Sequence, residues 1–297
     1  MKIKDQIKEI DICISQGRYE GALERINQLK AKKYNSIHLL IRQVRIYYLQ
    51  QDFSRALEFI EKASYLAPDD LNLKLLNLDI AIKKKDVSRS RYLLSDLKDK
   101  VKDKDLIGFK IQFFKLNNEY QKAIECLKTQ MGKSKNSDFQ IFVEIGYLLN
   151  ANQKFNDALI FYSKALEIDK QNYNAFYNRG ITLSNLMQYD KAIESFQLAL
   201  KIDSSSQQIY QELAGQYENK NDLITAEKIL NTAIEKFQDN LNLQCIKAFL
   251  YQRKKDIKGA EAIYDNIIQN NPEFIRALND KSYLLLQEQR YKEGWQY

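Results

Sequence analysis

Two prolines, nine glycines, three cysteines and one histidine are all that the chain offers of the residues that break, staple or metallate a fold. So few breakers in 297 residues leave little β-turn chemistry and favour helices. Cys13, Cys126 and Cys245 lie far apart with no CxxC spacing. That argues against a disulfide framework or a thiolate metal site, and for reduced core or groove residues of an intracellular protein. His38 has no cysteine or acidic cluster around it and no Ser or Cys elbow to serve, so it makes neither a zinc site nor a triad. The scattered glycines form no GxGxxG and no phosphate loop. Nothing approaches the roughly 18 apolar residues of a membrane span. The opening Met1-Lys2-Ile3-Lys4-Asp5-Gln6 lacks the apolar run of a secretory signal. The expectation is a cytoplasmic chain, without a membrane span, that carries no metal, cofactor or catalytic constellation within these residues.

Hydrophobic residues make up 44% and charged residues 29%, with 19 Tyr and 14 Phe to fill a core. The net charge of +7 is a small excess over a long chain. Lysine clusters at Lys30…Lys33, Lys83-Lys84-Lys85, Lys98…Lys104 and Arg253-Lys254-Lys255 read as solvated turns. The aromatics that could stack on bases fall on the buried periodicity instead, so nucleic acid is not the expected partner.

One pattern recurs: aromatic or aliphatic, then Ala three residues on, aromatic or aliphatic four further, Ala three further. It appears as Phe53…Ala56…Ile60…Ala63, Phe155…Ala158…Tyr162…Ala165 and Tyr189…Ala192…Phe196…Ala199. These steps put all four side chains on one helical face. The first Ala of each copy stands at 22, 56, 158, 192, 226 and 260, a period of 34, and the gap from 56 to 158 is 102, three periods. Degenerate copies centred on Ser90 and Ala123 fill that gap, and Gly294 begins a partial ninth copy. Upstream in each copy lies another helix, with a small residue at Gly146, Gly180, Ala214, Ala248 and Ser282, where close-packed helix axes leave no room for bulk. Short polar turns such as Asn152-Gln153-Lys154 separate the two helices, and Pro68 and Pro272 stop the second helix of their copies.

A 34-residue helix–turn–helix unit with small residues at its eighth, twentieth and twenty-seventh positions resembles the tetratricopeptide repeat. The run from Ala175-Phe176-Tyr177-Asn178-Arg179-Gly180 through Tyr189-Asp190-Lys191-Ala192 to Phe196-Gln197-Leu198-Ala199 is close to that family's consensus. The resemblance implies an all-α fold, a right-handed superhelical solenoid of antiparallel helix pairs, with about eight full repeats and a partial ninth. It covers residues 1–297 as a single solenoid, with a less regular stretch at about 71–137, an enlarged turn over residues 131–137 and a regular array over 138–297.

In this family the first helix of each pair lines a concave groove that commonly takes a peptide. The resemblance places Tyr147, Asn150, Asn174, Tyr177, Asn178, Ile181, Asn185, Gln208, Gln211 and Glu212 there, followed by Asn242, Cys245, Phe249 and Arg253. Amides can bond a peptide backbone whatever its sequence, and tyrosines add stacking area. The family's clamp for acidic chaperone tails is not reproduced. Only Asn178 matches it, while Glu212 would repel the carboxylate, so chaperone C-terminal tails are not expected partners. The expected function is a non-catalytic scaffold or adaptor for a protein or peptide. The alternative is the substrate-recognition arm of a longer enzyme, such as a transferase, whose catalytic domain lies after residue 297. The unfinished helix bearing Trp295 and Tyr297 points to that alternative.

Overall fold

In a computed structural model, which describes residues 3–32, 34, 36–132 and 135–296, every regular element among the described residues is a helix. Contacts divide the chain into two compact units, Met1–Thr129 and Gln130–Tyr297. The first holds α1 (Ile3–Ser15), α2 (Tyr19–Ala31), α3 (Ile37–Leu49), α4 (Phe53–Leu66), α5 (Leu71–Lys83), α6 (Val87–Leu97), α7 (Asp103–Leu116) and α8 (Tyr120–Lys128). The second holds α9 (Lys135–Ala151), α10 (Phe155–Ile168), α11 (Tyr173–Asn185), α12 (Tyr189–Ile202), α13 (Gln207–Asn219), α14 (Leu223–Lys236), α15 (Leu241–Arg253), α16 (Ile257–Asn270), α17 (Ile275–Gln287) and α18 (Tyr291–Gly294). Each helix packs chiefly on its partner in the pair, and within each unit successive pairs stack as an α-solenoid. No helix among the described residues is long and apolar enough to cross a membrane. The turn expected over 131–137 is entered by α9, which already begins at Lys135; Lys133 and Ser134 lie outside the described residues.

The repeat is written most plainly in the backbone of the turns. Gly17, Gln51, Lys85, Asn118, Gln153, Met187, Asn221, Lys255 and Gln289 all take positive φ, between 58° and 72°. They recur every 34 residues, apart from one step of 33 followed by one of 35. Each ends a first helix in a Schellman turn. In the sixth turn of the series the Met187 amide donates to Ser184 O at 2.8 Å and the Gln188 amide to Leu183 O at 2.9 Å. The residue after the left-handed one opens the second helix. Where it is aspartate it caps: Asp52, Asp86, Asp222 and Asp256 each accept the amide three residues on, at 2.9–3.1 Å. Arg18, Lys154 and Gln188 hold the same place without a side-chain cap. Asp70 caps α5 through the Leu73 amide at 3.0 Å.

The two helices of a pair divide a fixed volume between them. A Cβ on Gly146 would stand 2.6 Å from the Tyr162 ring, and one on Gly180 would stand 2.6 Å from the Phe196 ring. One repeat later the same two positions hold Ala214 and Leu230, both buried. In the first unit the arrangement inverts. Ile10 and Val44 are fully buried where the glycines stand, and Ile26 and Ile60 replace the rings. At Gly146 and Gly180 the space beside the first helix is filled by an aromatic ring from the second. Cys13 and Cys245 are buried and all three cysteines are free. Cys245, placed by its register in the groove, belongs to the core of the second unit, where burial pushes its thiol up to about 11.

Candidate functional site

First helices in this fold keep one face for their own pair and turn another away from it. In the second unit that outer face runs over α9, α11, α13 and α15, and the residues expected to line a groove divide into three groups. Some are consumed by the structure. Asn150 Oδ1 on α9 accepts from Thr182 Oγ1 at 3.1 Å and from Asn185 Nδ2 at 3.2 Å, which ties α9 to α11. Ile181 packs against the core, and Arg253 is paired with Glu218 at 3.2 Å. Some are exposed: Tyr147 and Phe249, each 48% accessible, with Asn174, Asn185, Gln208 and Asn242, whose Oδ1 accepts from Arg276 at 2.9 Å. The rest make a half-buried cluster of Tyr177 and Asn178 on α11 with Gln211 and Glu212 on the neighbouring α13.

Tyr177 is rigid within that cluster. Its ring stacks on Tyr173 at 6.1 Å and 13°, and lies tilted on Phe196 at 5.9 Å. The Tyr173 hydroxyl is in turn held by Ser206 at 2.9 Å. Burial raises the Tyr177 phenol above its ordinary value, and the Glu212 carboxylate raises it further. Burial also lifts the Glu212 carboxyl above the usual carboxylate range. Glu212 has no ion-pair or hydrogen-bond partner among the described residues. The face can therefore supply amides, aromatic area and one uncompensated acid. His38 stands exposed on α3, its carbonyl accepting from Arg42 at 3.0 Å.

A second lining, absent from the expected groove residues, lies wholly within the first unit. A cavity of about 640 Å³ is walled by Ile41, Arg45, Tyr48 and Leu49 of α3, Asn72, Leu75, Leu76 and Asp79 of α5, and Phe109 of α7. Seven of these are legible by arithmetic. Three periods of 34 separate Arg45 and Tyr48 from Tyr147 and Asn150, and Asn72, Leu75, Leu76 and Asp79 from Asn174, Tyr177, Asn178 and Ile181; Leu49 is one period before Lys83, the counterpart of Asn185. One wall is closed by a bonded trio. The Tyr48 hydroxyl donates to Asp79, Lys83 donates to the Tyr48 oxygen, and Lys83 pairs with Asp79 at 3.0 Å. Burial, then the Asp79 carboxylate, holds the Tyr48 phenol above its ordinary value. A further void of about 670 Å³ lies in the second unit, lined by residues 235–242 and Phe274.

Models of the tetratricopeptide repeat match residues 139–172 and 173–206, two consecutive 34-residue units in the register that the left-handed turns define. Residues 139–206 carry two tetratricopeptide repeats, and other helix pairs of the chain follow the same arrangement. Among solved structures, the C-terminal part of a tetratricopeptide-repeat protein from Cytophaga hutchinsonii shares its fold with a TM-score of 0.55 at 19% identity, covering 92% of this chain and 98% of that one. A tetratricopeptide-repeat protein from Parabacteroides merdae gives 0.51 at 16% identity, covering 87% and 88%. Human anaphase-promoting complex subunit 7 is 24% identical over 149 residues, and its mouse counterpart 23%. That match takes in 48% of this chain and 26% of the human subunit, so the chain spans about a quarter of the length of the curated relatives it matches. Other tetratricopeptide-repeat chains thus share the fold.

Proposed function

We propose that the protein is a binding scaffold that acts by holding a peptide or partner protein on its first-helix faces, and not by catalysis. The observation that carries this reading is the half-buried Tyr177–Asn178–Gln211–Glu212 cluster. It offers a rigid ring and amides free of internal duties, and a solvated helix face has no use for an unpaired, half-buried acid. Glu212 sets the charge of the occupant. A segment bearing Lys or Arg would supply the missing counter-ion, whereas an acidic tail would meet repulsion, which keeps chaperone C-terminal tails out. The curated relatives are named as subunits of a multiprotein complex, and a place within an assembly suits a scaffold of this kind.

The test is affinity purification of the full chain from its native cell, with wild type beside a Tyr177→Ala/Asn178→Ala variant. Proteins held by the wild type and released by the double variant are expected. A partner set unchanged by the double variant, in protein that retains its helical circular dichroism, would overturn the assignment to this face.

A further inference from the structure

The cavity of the first unit has a chemistry opposite to that of the cluster on the second. Its floor is apolar: Leu49 is 43% accessible, and Leu75, Leu76 and Phe109 are half-buried around the same void. Apolar surface gathered in a concavity is the usual mark of a docking site, and about 640 Å³ falls within the roughly 300–1,000 Å³ of clefts that hold ligands. Two charged residues stand on its wall. Asp79 is neutralised by Lys83 and bonded by Tyr48. Arg45 is exposed and has neither an ion pair nor a hydrogen bond among the described residues. The uncompensated charge of the cavity is therefore positive, where that of the Glu212 cluster is negative.

We infer that this cavity takes a partner segment in which large apolar side chains flank a carboxylate, the apolar groups lying on Leu49, Leu75, Leu76 and Phe109 and the carboxylate meeting Arg45. The inference rests on the reading that first-helix faces hold peptides, and adds a second site with the opposite charge preference. Each site rejects the other's ligand, since Arg45 repels a basic segment and Glu212 an acidic one. The protein thereby reads two unlike segments.

A random peptide library displayed on phage, panned at low salt against the full chain, tests this. Arg45→Glu, Leu49→Lys and Tyr177→Ala are panned in parallel, each checked by circular dichroism. Arg45 and Leu49 are exposed, so these two changes leave the core alone. Wild type should enrich peptides that carry Asp or Glu beside large apolar residues. Those peptides should bind Tyr177→Ala as tightly as wild type, lose binding to Leu49→Lys, and bind Arg45→Glu roughly tenfold more weakly by fluorescence anisotropy. A pool without acidic enrichment, or one indifferent to Arg45→Glu, overturns the inference. Peptides that survive Leu49→Lys but are lost on Tyr177→Ala overturn it and leave the Tyr177 face standing. An empty pool overturns both readings. If a second copy of the chain fills the cavity instead, light scattering will give twice the chain mass for wild type and the single mass for Arg45→Glu, and the inference falls.

Discussion

A glycine that faces a ring has a partner in the next helix, and the two can be changed together. Gly180→Ala drives a methyl group to 2.6 Å from the Phe196 ring and should cost about 1–3 kcal/mol. Phe196→Leu alone opens a void beside the glycine and should cost at least about 1 kcal/mol. Combined, they recreate the Ala214–Leu230 pairing of the next repeat, so the double variant should be more stable than the sum of the singles implies, by about 1 kcal/mol or more. Urea titrations of the four proteins measure that coupling. Simple additivity would show that the ring and the glycine do not share a volume. The sequence displays this position as small in the second unit, but a string of letters does not say what occupies the space. That reason emerges only when residue 180 is seen against residue 196. Likewise Cys245 sits at a register position that faces outward in other repeats, and its burial depends on packing against Ala277 and its neighbours in the following repeat, which the period alone does not encode.

At the scale of the element, helix starts differ in quality from repeat to repeat. Asp222 caps α14 through the Thr225 amide, but Gln188 leaves α12 without a side-chain cap. Gln188→Asp should therefore stabilise the protein by about 0.5–1 kcal/mol, read as a raised midpoint in thermal denaturation. An unchanged or lowered midpoint would mean that the amides of α12 are already well satisfied by solvent. The helix pairs themselves were open to reading from sequence, because Ala56, Ala158 and Ala192 repeat the same spacing. The cavity of the first unit was not read, because Leu78 and Ile111 fill the place that Gly146 and Gly180 mark elsewhere. Those helices look unlike the consensus, although their outer residues keep its register. Subtracting three periods from Asn174 and Tyr177 would have found Asn72 and Leu75.

For the whole molecule, each unit has cores of its own. Leu183, Phe196 and Leu213 build one in the second unit, and Cys245, Tyr264 and Leu284 another. Stability in stacked repeats is close to a sum of neighbour terms, so a stretch with complete interfaces should stand by itself. A fragment of residues 130–297 is expected to give a helical circular dichroism spectrum and a cooperative melt. A spectrum of unfolded chain would mean that residues 1–129 supply part of its stability.

The shared volume inside each helix pair also governs how such a chain can be rearranged over generations. A crossover at the turn between two helices would set the first helix of one repeat against the second of another. Val44 would then face Phe196, or Gly180 would face Ile60, one pair overfilled and the other hollow. A crossover in the loop after a second helix moves matched partners as one piece. Duplication, loss and exchange should therefore travel in whole pairs that begin near residues such as Tyr173 and Leu241, and the inheritable unit of this protein is the filled pair, not the helix.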